Sequence, residues 1–142
     1  PNVPEGTILY RFDNVQQVYS VNVFDFGRWT NPDQTLPPGD GAFILNPEQA
    51  PLTLTFIGAP TRGNRIVERL PGFYLVGCPA PQPCRIEEFI TFPPLEGDVV
   101  YRFSEGKYLL SQFEFGDWQG FPPVIPIGEA VFLKLAPRPL LP

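Results

Sequence analysis

The 142-residue sequence contains no histidine and no methionine. Without histidine, no unperturbed side chain titrates between pH 5 and 8, so the charge state stays nearly constant across that range. The same absence removes the usual base for a serine nucleophile, and the only lysines are Lys107 and Lys134, which excludes serine-hydrolase chemistry. The missing methionine removes an oxidation liability and suits a chain whose initiator left with a removed leader. Two cysteines with no histidine make a zinc site untenable. No apolar run reaches roughly 18 residues, so no transmembrane helix and no membrane insertion are expected. Basic residues are also scarce, ten against fifteen acidic ones for a net charge of −5. A nucleic-acid partner would require the opposite balance. No Asn-x-Ser/Thr sequon occurs, so N-glycosylation is not expected.

Proline and glycine are abundant, at 20 and 13 residues, beside an apolar fraction of 43%. Prolines at this density forbid long helices and force turns every few residues, whereas the Phe, Val, Ile and Leu content argues against disorder. A β-rich fold follows. The length suffices to bury about two thirds of the unfolded surface without a metal.

The strongest signal is an internal repeat. Phe24-Asp25-Phe26-Gly27-Arg28-Trp29 returns 89 residues later as Phe113-Glu114-Phe115-Gly116-Asp117-Trp118. Upstream, Glu5-Gly6-Thr7-Ile8-Leu9-Tyr10-Arg11-Phe12 answers to Glu96-Gly97-Asp98-Val99-Val100-Tyr101-Arg102-Phe103 at an offset of 91. The connection between the two boxes is therefore two residues shorter in the second copy. Downstream, Leu36 to Phe43 answers to Ile125 to Phe132, again at 89. Three matches in one order identify a duplicated module, with a first unit at 1–71 and a second at 72–142.

Strands are expected at Thr7–Phe12 and Gln17–Phe26, the latter with Tyr19, Val21 and Val23 on one face. Phe24 and Phe26 break that alternation, and a bulge near Val23-Phe24 would return them inward. Gly27 would then swing Trp29 onto the sheet. Further strands are expected at Ala42–Leu45, Leu52–Ile57, Arg65–Leu70, Phe73–Val76, Asp98–Phe103, Lys107–Phe115 and Ala130–Leu135. Arg85–Ile90 reads as one short helix, with Glu87-Glu88 as its solvated face. The predicted architecture is all-β: two small antiparallel modules, sandwich- or barrel-like, with that one helix. The repeat core is expected at Tyr10, Phe12, Phe24, Phe26 and Trp29, and at Tyr101, Phe103, Phe113, Phe115 and Trp118.

Cys78 and Cys84 bracket the stiff loop Pro79-Ala80-Pro81-Gln82-Pro83, which brings them within disulfide range and suits an oxidising, extracellular or cell-surface setting. The recurring acids, Asp40 with Glu129 and Asp25 with Glu114, could suggest paired-carboxylate hydrolysis. Acids beside glycine serve turns and solubility more often, so no catalytic residue is assigned and no enzyme is expected. Calcium ligation by Asp33, Asp40 or Glu129 lacks a ligand-dense loop. No metal and no cofactor are expected.

The tract Gly97 to Phe103, the two Phe-x-Phe-Gly-x-Trp boxes, and the segments Pro38 to Phe43 and Ile127 to Phe132 resemble repeat modules of secreted bacterial surface proteins with no assigned activity. In those modules a strand like Gly72-Phe73-Tyr74-Leu75-Val76 opens each unit. The first copy lacks it, and the second lacks the strands that trail the first. A sheet missing a strand exposes unpaired backbone. The expected function is thus a structural subunit of an extracellular fibre or surface appendage. Copies of the chain would join head to tail by strand complementation or terminal-arm exchange. Its interface would use Pro1, Val3, Pro4, Leu52, Leu54, Phe56, Leu135, Leu140 and Leu141. The alternative is a monomeric adhesion or carbohydrate-binding module, cropped from a longer surface protein and partnered by surface glycans.

Overall fold

A computed structural model of the chain describes residues 3–55, 70–88 and 93–138. In chain order the strands are β1 (Ile8–Asp13), β2 (Val18–Asp25), β3 (Arg28–Trp29), β4 (Ala42–Leu45), β5 (Gly72–Gly77) and β6 (Cys84–Arg85). A 3-10 turn at Ile86–Glu88 precedes β7 (Val99–Ser104), β8 (Lys107–Glu114), β9 (Asp117–Gly120), β10 (Val124–Ile125) and β11 (Ala130–Leu135). The protein is all-β, with three antiparallel sheets and no α-helix among the described residues. Strands β3-β2-β1-β4 form one sheet, β5-β11-β7-β8-β9 a second, and β10-β6 a two-stranded ribbon.

The duplication is visible in the pairing, because β1, β2, β3 and β4 occupy the places of β7, β8, β9 and β11. Each Phe-x-Phe-Gly-x-Trp box is a two-residue hairpin. Phe26 and Gly27 have φ of 49° and 72°, Phe115 and Gly116 of 56° and 79°. Positive φ at both central residues makes a type I′ turn, whose twist matches the flanking strands. The upstream Glu-Gly box ties to the same turn. Glu5 Oε1 accepts the Gly27 N–H at 2.8 Å, and the Glu96 carboxylate accepts those of Phe115 and Gly116 at 3.1 and 3.0 Å. Two sequence boxes nineteen or more residues apart are therefore one structural unit.

This geometry corrects part of the expected core. Phe26 and Phe115 sit at the hairpin tips and are 90% and 92% exposed. No bulge forms, since the β1–β2 register runs unbroken from Asp13↔Val18 to Ile8↔Val23 and continues as Phe24 N to Thr7 O at 2.9 Å. The phase breaks because the strand has ended in a turn. Phe24 pairs with Trp29 and Phe113 with Trp118, each at 5.4 Å between ring centroids, so the tryptophans do fold back onto the sheets.

Tyr19, Val21 and Val23 share a face of β2 as expected, opposite Phe12, Tyr10 and Ile8. Tyr19 and Val21 are half-exposed, however, and the one buried residue of the strand is Asn22 on the other face. The Tyr19 face meets the face of the second sheet that carries Phe73, Tyr101, Phe103, Tyr108 and Phe132. Phe12 touches Phe132 at 5.3 Å, and their counterparts Phe103 and Phe43 touch at 6.0 Å. Edge-to-face pairs of this kind contribute about 0.5–1.5 kcal/mol each beyond area burial. Phe12 is buried, whereas its counterpart Phe103 is half-exposed. The opposite face of the second sheet holds the aliphatic core of Tyr74, Val76, Val100, Val131, Leu133 and Leu135. Cys84, Ile86 and Ile125 from the ribbon and turn cover it, with Trp118 and Phe121 packed alongside.

The predicted helix is corrected. Cys84 and Arg85 pair with Ile125 and Val124 as strand, and Ile86 is then drawn fully into the core, leaving one 3-10 turn up to Glu88. Residues 89 and 90 of the expected helix lie outside the described residues. Glu87 is not simply solvated, because its Oε1 accepts the Trp118 indole N–H at 2.9 Å. Residues 51–55 form no strand, as Pro47 and Pro51 remove ladder donors there. The rest of the segment expected at Leu52–Ile57, and Arg65–Leu70 up to residue 69, lie outside the described residues.

The two sheets are joined tightly at Gly41. A Cβ there would collide with that of Ala130 and crowd Leu75. Gly41→Ala should therefore lower unfolding stability by about 1–3 kcal/mol, measured by urea denaturation. An unchanged midpoint would show that the sheets can separate at this corner without cost.

Candidate functional site

A sheet edge leaves a row of backbone donors and acceptors that must be satisfied. β5 is an edge strand of the second sheet, yet its outer side is sealed from the first module. Gly41 N donates to Leu75 O at 3.2 Å, Gly77 N donates to Gly39 O at 3.0 Å, and Asp40 forms a bridge with Val76. Asn14 Oδ1 accepts the Leu75 N–H at 2.8 Å. Gln17 completes the seal: its Oε1 accepts the Phe73 N–H at 2.8 Å while its Nε2 donates to Phe73 O at 2.7 Å. The side-chain amide thus copies the pairing that a neighbouring strand would make.

The β1–β2 loop explains the two-residue difference between the repeats. In the second copy the connection is the tight turn Glu105-Gly106, with φ of 51° and 77°. In the first it spans four residues, 14–17, closing with Gln17 N on Asp13 O at 2.8 Å and with Gln17 at φ 58°. Asp13 Oδ1 holds the loop by accepting the N–H groups of Gln16 and Val15 at 2.8 and 2.9 Å. These backbone donors, Gln16 foremost, hold the Asp13 carboxyl below its usual pKa. The extra residues therefore deliver Asn14 and Gln17 to β5.

The corresponding edge of the first sheet differs. β5 lies beside β11, but among the described residues no strand lies beside β4, the counterpart of β11. Ile44 and Leu45 are 40% and 49% exposed. Other expected interface residues are scattered. Val3 and Leu54 come together, lining a cleft of about 570 Å³ with Leu9 and Trp29. Pro4 and Leu52 are half-buried, and the Pro4 carbonyl accepts the Thr7 hydroxyl at 2.7 Å. Leu135 is corrected: it is 3% exposed inside the aliphatic core, because its position in β11 faces the ribbon. Pro1, Phe56, Leu140 and Leu141 lie outside the described residues.

The recurring acids belong to the scaffold. Asp40 Oδ2 binds Arg11 at 3.3 Å, and Glu129 binds Arg102 through two contacts at 2.8 and 2.9 Å. This hydrogen-bonded pairing raises the Arg102 pKa. Asp25 accepts the Phe26 N–H of its own turn and Glu114 accepts from Gln112. Among the described residues no group of three His, Cys, Asp or Glu side chains could hold a metal ion. Cys78 and Cys84 form a disulfide with Cα atoms 5.7 Å apart. Compared with protein-family models, curated proteins and solved structures, the chain shows no match, so its function must be read from its own geometry.

Sequence reasoning found the repeat but not the seal on β5. The only signal was the two-residue offset between boxes. Gln17→Ala would leave the Phe73 backbone groups without their protein partners and should cost about 0.5–1.5 kcal/mol, since water can reach this exposed site. Native-state hydrogen exchange should show faster exchange at Phe73 while the Leu133 amide stays protected. The depressed Asp13 pKa predicts acid sensitivity of the same loop. Its contribution is present above the unfolded value of 3.8 and lost as pH falls through the lower folded value. An NMR titration should place the Asp13 midpoint below 3.8, with Gln16 amide exchange rising beneath it; a midpoint at or above 3.8 would contradict the loop geometry.

Proposed function

We propose that the chain is a structural subunit of an extracellular fibre or surface appendage. Copies join head to tail, a strand from one chain completing the first sheet of the next along β4. The observation that carries this reading is the contrast between two equivalent edges. The position beside β11 is filled by β5, the one beside β4 is empty among the described residues, and the outer side of β5 is sealed. Among the described residues the side of β4 away from β1 therefore has no strand partner.

The chemistry of that edge supports the reading. Exposed edge strands are usually blunted by lysine, proline or an inward charge, and Ala42-Phe43-Ile44-Leu45 carries none of these. A strand added there gains backbone hydrogen bonds for affinity and alternate side-chain contacts for specificity. Such a contact joins two different surfaces, so it propagates into a ring or filament and does not close as a twofold dimer. The disulfide supports an oxidising, extracellular location. No step of this role needs a catalyst or cofactor.

Ile44→Lys with Leu45→Lys should reduce self-association at least tenfold, with the circular dichroism spectrum and melting temperature unchanged, because both side chains are already half-exposed. Light scattering across concentrations and negative-stain electron microscopy read the result. A native chain that is monodisperse at every concentration, or a double variant that assembles like the native chain, would sink the proposal.

A further inference from the structure

The aromatic interface between the sheets opens at one side into a cleft of about 490 Å³. It is lined by Phe12, Tyr19, Phe73, Tyr101, Tyr108 and Phe132, with Gln17 beside them. Phe12 is buried, but Tyr19, Phe73 and Tyr108 are 47%, 40% and 45% exposed. The rings stand edge to face: Phe12–Tyr19 at 5.1 Å, Tyr19–Phe132 at 6.4 Å, Phe73–Phe132 at 6.3 Å and Tyr101–Tyr108 at 6.4 Å. The walls are therefore a set of ring faces and edges fixed by mutual packing.

The polar content of the cleft restricts what it can hold. No lining residue is charged, so neither a phosphate nor a carboxylate finds a counter-ion. Both ends of the Gln17 amide are committed to the Phe73 backbone. The tyrosine hydroxyls are what remains, and hydroxyls can donate to carbonyls. A sugar brings many hydroxyls that each need donors and acceptors, and burying them unpaired is costly. A polyproline II segment has complementary needs. It carries no internal hydrogen bonds, its prolines have no N–H, its carbonyls accept, and its rings pack on aromatic faces.

This chain has a proline-rich sequence of matching chemistry. Pro137-Arg138-Pro139-Leu140-Leu141-Pro142 places prolines at the P-x-x-P spacing used in aromatic-groove recognition. Its root is fixed to the start of β7. The Ala136 N–H donates to Asp98 Oδ1 at 2.9 Å, and Arg138 Nη2 contacts Asp98 Oδ2 at 2.6 Å, the aspartate fully buried and the arginine partly so. A segment anchored at its base loses less entropy on docking. We infer that the aromatic cleft is a docking site for the proline-rich segment Pro139–Pro142 of a second copy. The inference rests on the reading that copies of the chain associate, and adds a second contact at which they do so.

The probe is a synthetic peptide of residues 136–142, titrated into the full chain and followed by NMR. Saturable shifts are expected at Tyr19, Phe73 and Tyr108. Affinity should fall at least tenfold when the peptide carries Pro139→Ala with Pro142→Ala, and equally when the protein carries Tyr108→Ala. The peptide variants need no altered protein, so misfolding cannot obscure them. No saturable binding at millimolar peptide, equal binding of the proline-free peptide, or binding only of a neutral oligosaccharide at these residues would overturn the inference. The titration is repeated on the Ile44→Lys, Leu45→Lys variant. Peptide binding there stands whether or not strand addition at β4 fails, and loss of peptide binding leaves strand addition standing.

Discussion

Satisfaction of backbone hydrogen bonds at the sheet edges is the constraint on which the rest of the structure depends. β5 pairs through its whole length with β11 on one side, and on the other it receives residues 39–41, Asn14 and Gln17. A sealed edge of this kind cannot slide, because each contact fixes a residue of one module against a residue of the other. The aromatic faces are thereby held in one register, and Phe12 and Phe43 meet Phe132 and Phe103 as matched pairs. Had β5 been left open, the described contacts between the two sheets would rest mainly on ring packing, which tolerates shifts that hydrogen bonds do not.

The duplicated boxes show how one local design is put to two uses. Thr7 and Asp98 occupy the same fully buried position, each donating its backbone N–H to the carbonyl three residues earlier. In the first copy the threonine hydroxyl closes the turn on Pro4 at 2.7 Å. In the second the carboxylate accepts the Leu95 N–H at 2.9 Å and reaches across to Ala136 and Arg138. Breaking a buried pair of this kind leaves an uncompensated charge, which is far costlier than never having placed it. One side-chain difference therefore turns a turn cap into the anchor of the C-terminal strap.

The aromatic residues divide in a similar way. Those at repeat positions were expected in a core, and Phe12, Phe24 and Trp29 do pack inward to different degrees. Phe26 and Phe115 do not, because the preceding strand ends one residue earlier and the type I′ turn holds them at positive φ, pointing to solvent. Tyr19, Phe73 and Tyr108 are intermediate. They complete the interface with one edge and line the cleft with the other, so packing and recognition draw on the same rings.

The repeat, the all-β class and the disulfide were legible in the sequence. Each follows from short-range physics: two-residue alternation, glycine at turns, proline's missing donor, and a stiff loop between cysteines. The function of the boxes was not legible, for Glu5 meets Gly27, and Gln17 meets Phe73, across separations that no periodicity encodes. Nor could local spacing tell that Leu135 faces the aliphatic core, or that Ile86 leaves the helical path to enter it. Which hydrophobic residues are buried depends on which face of each sheet another layer covers. That choice is made only when the edges have found their partners, and so it belongs to the tertiary structure.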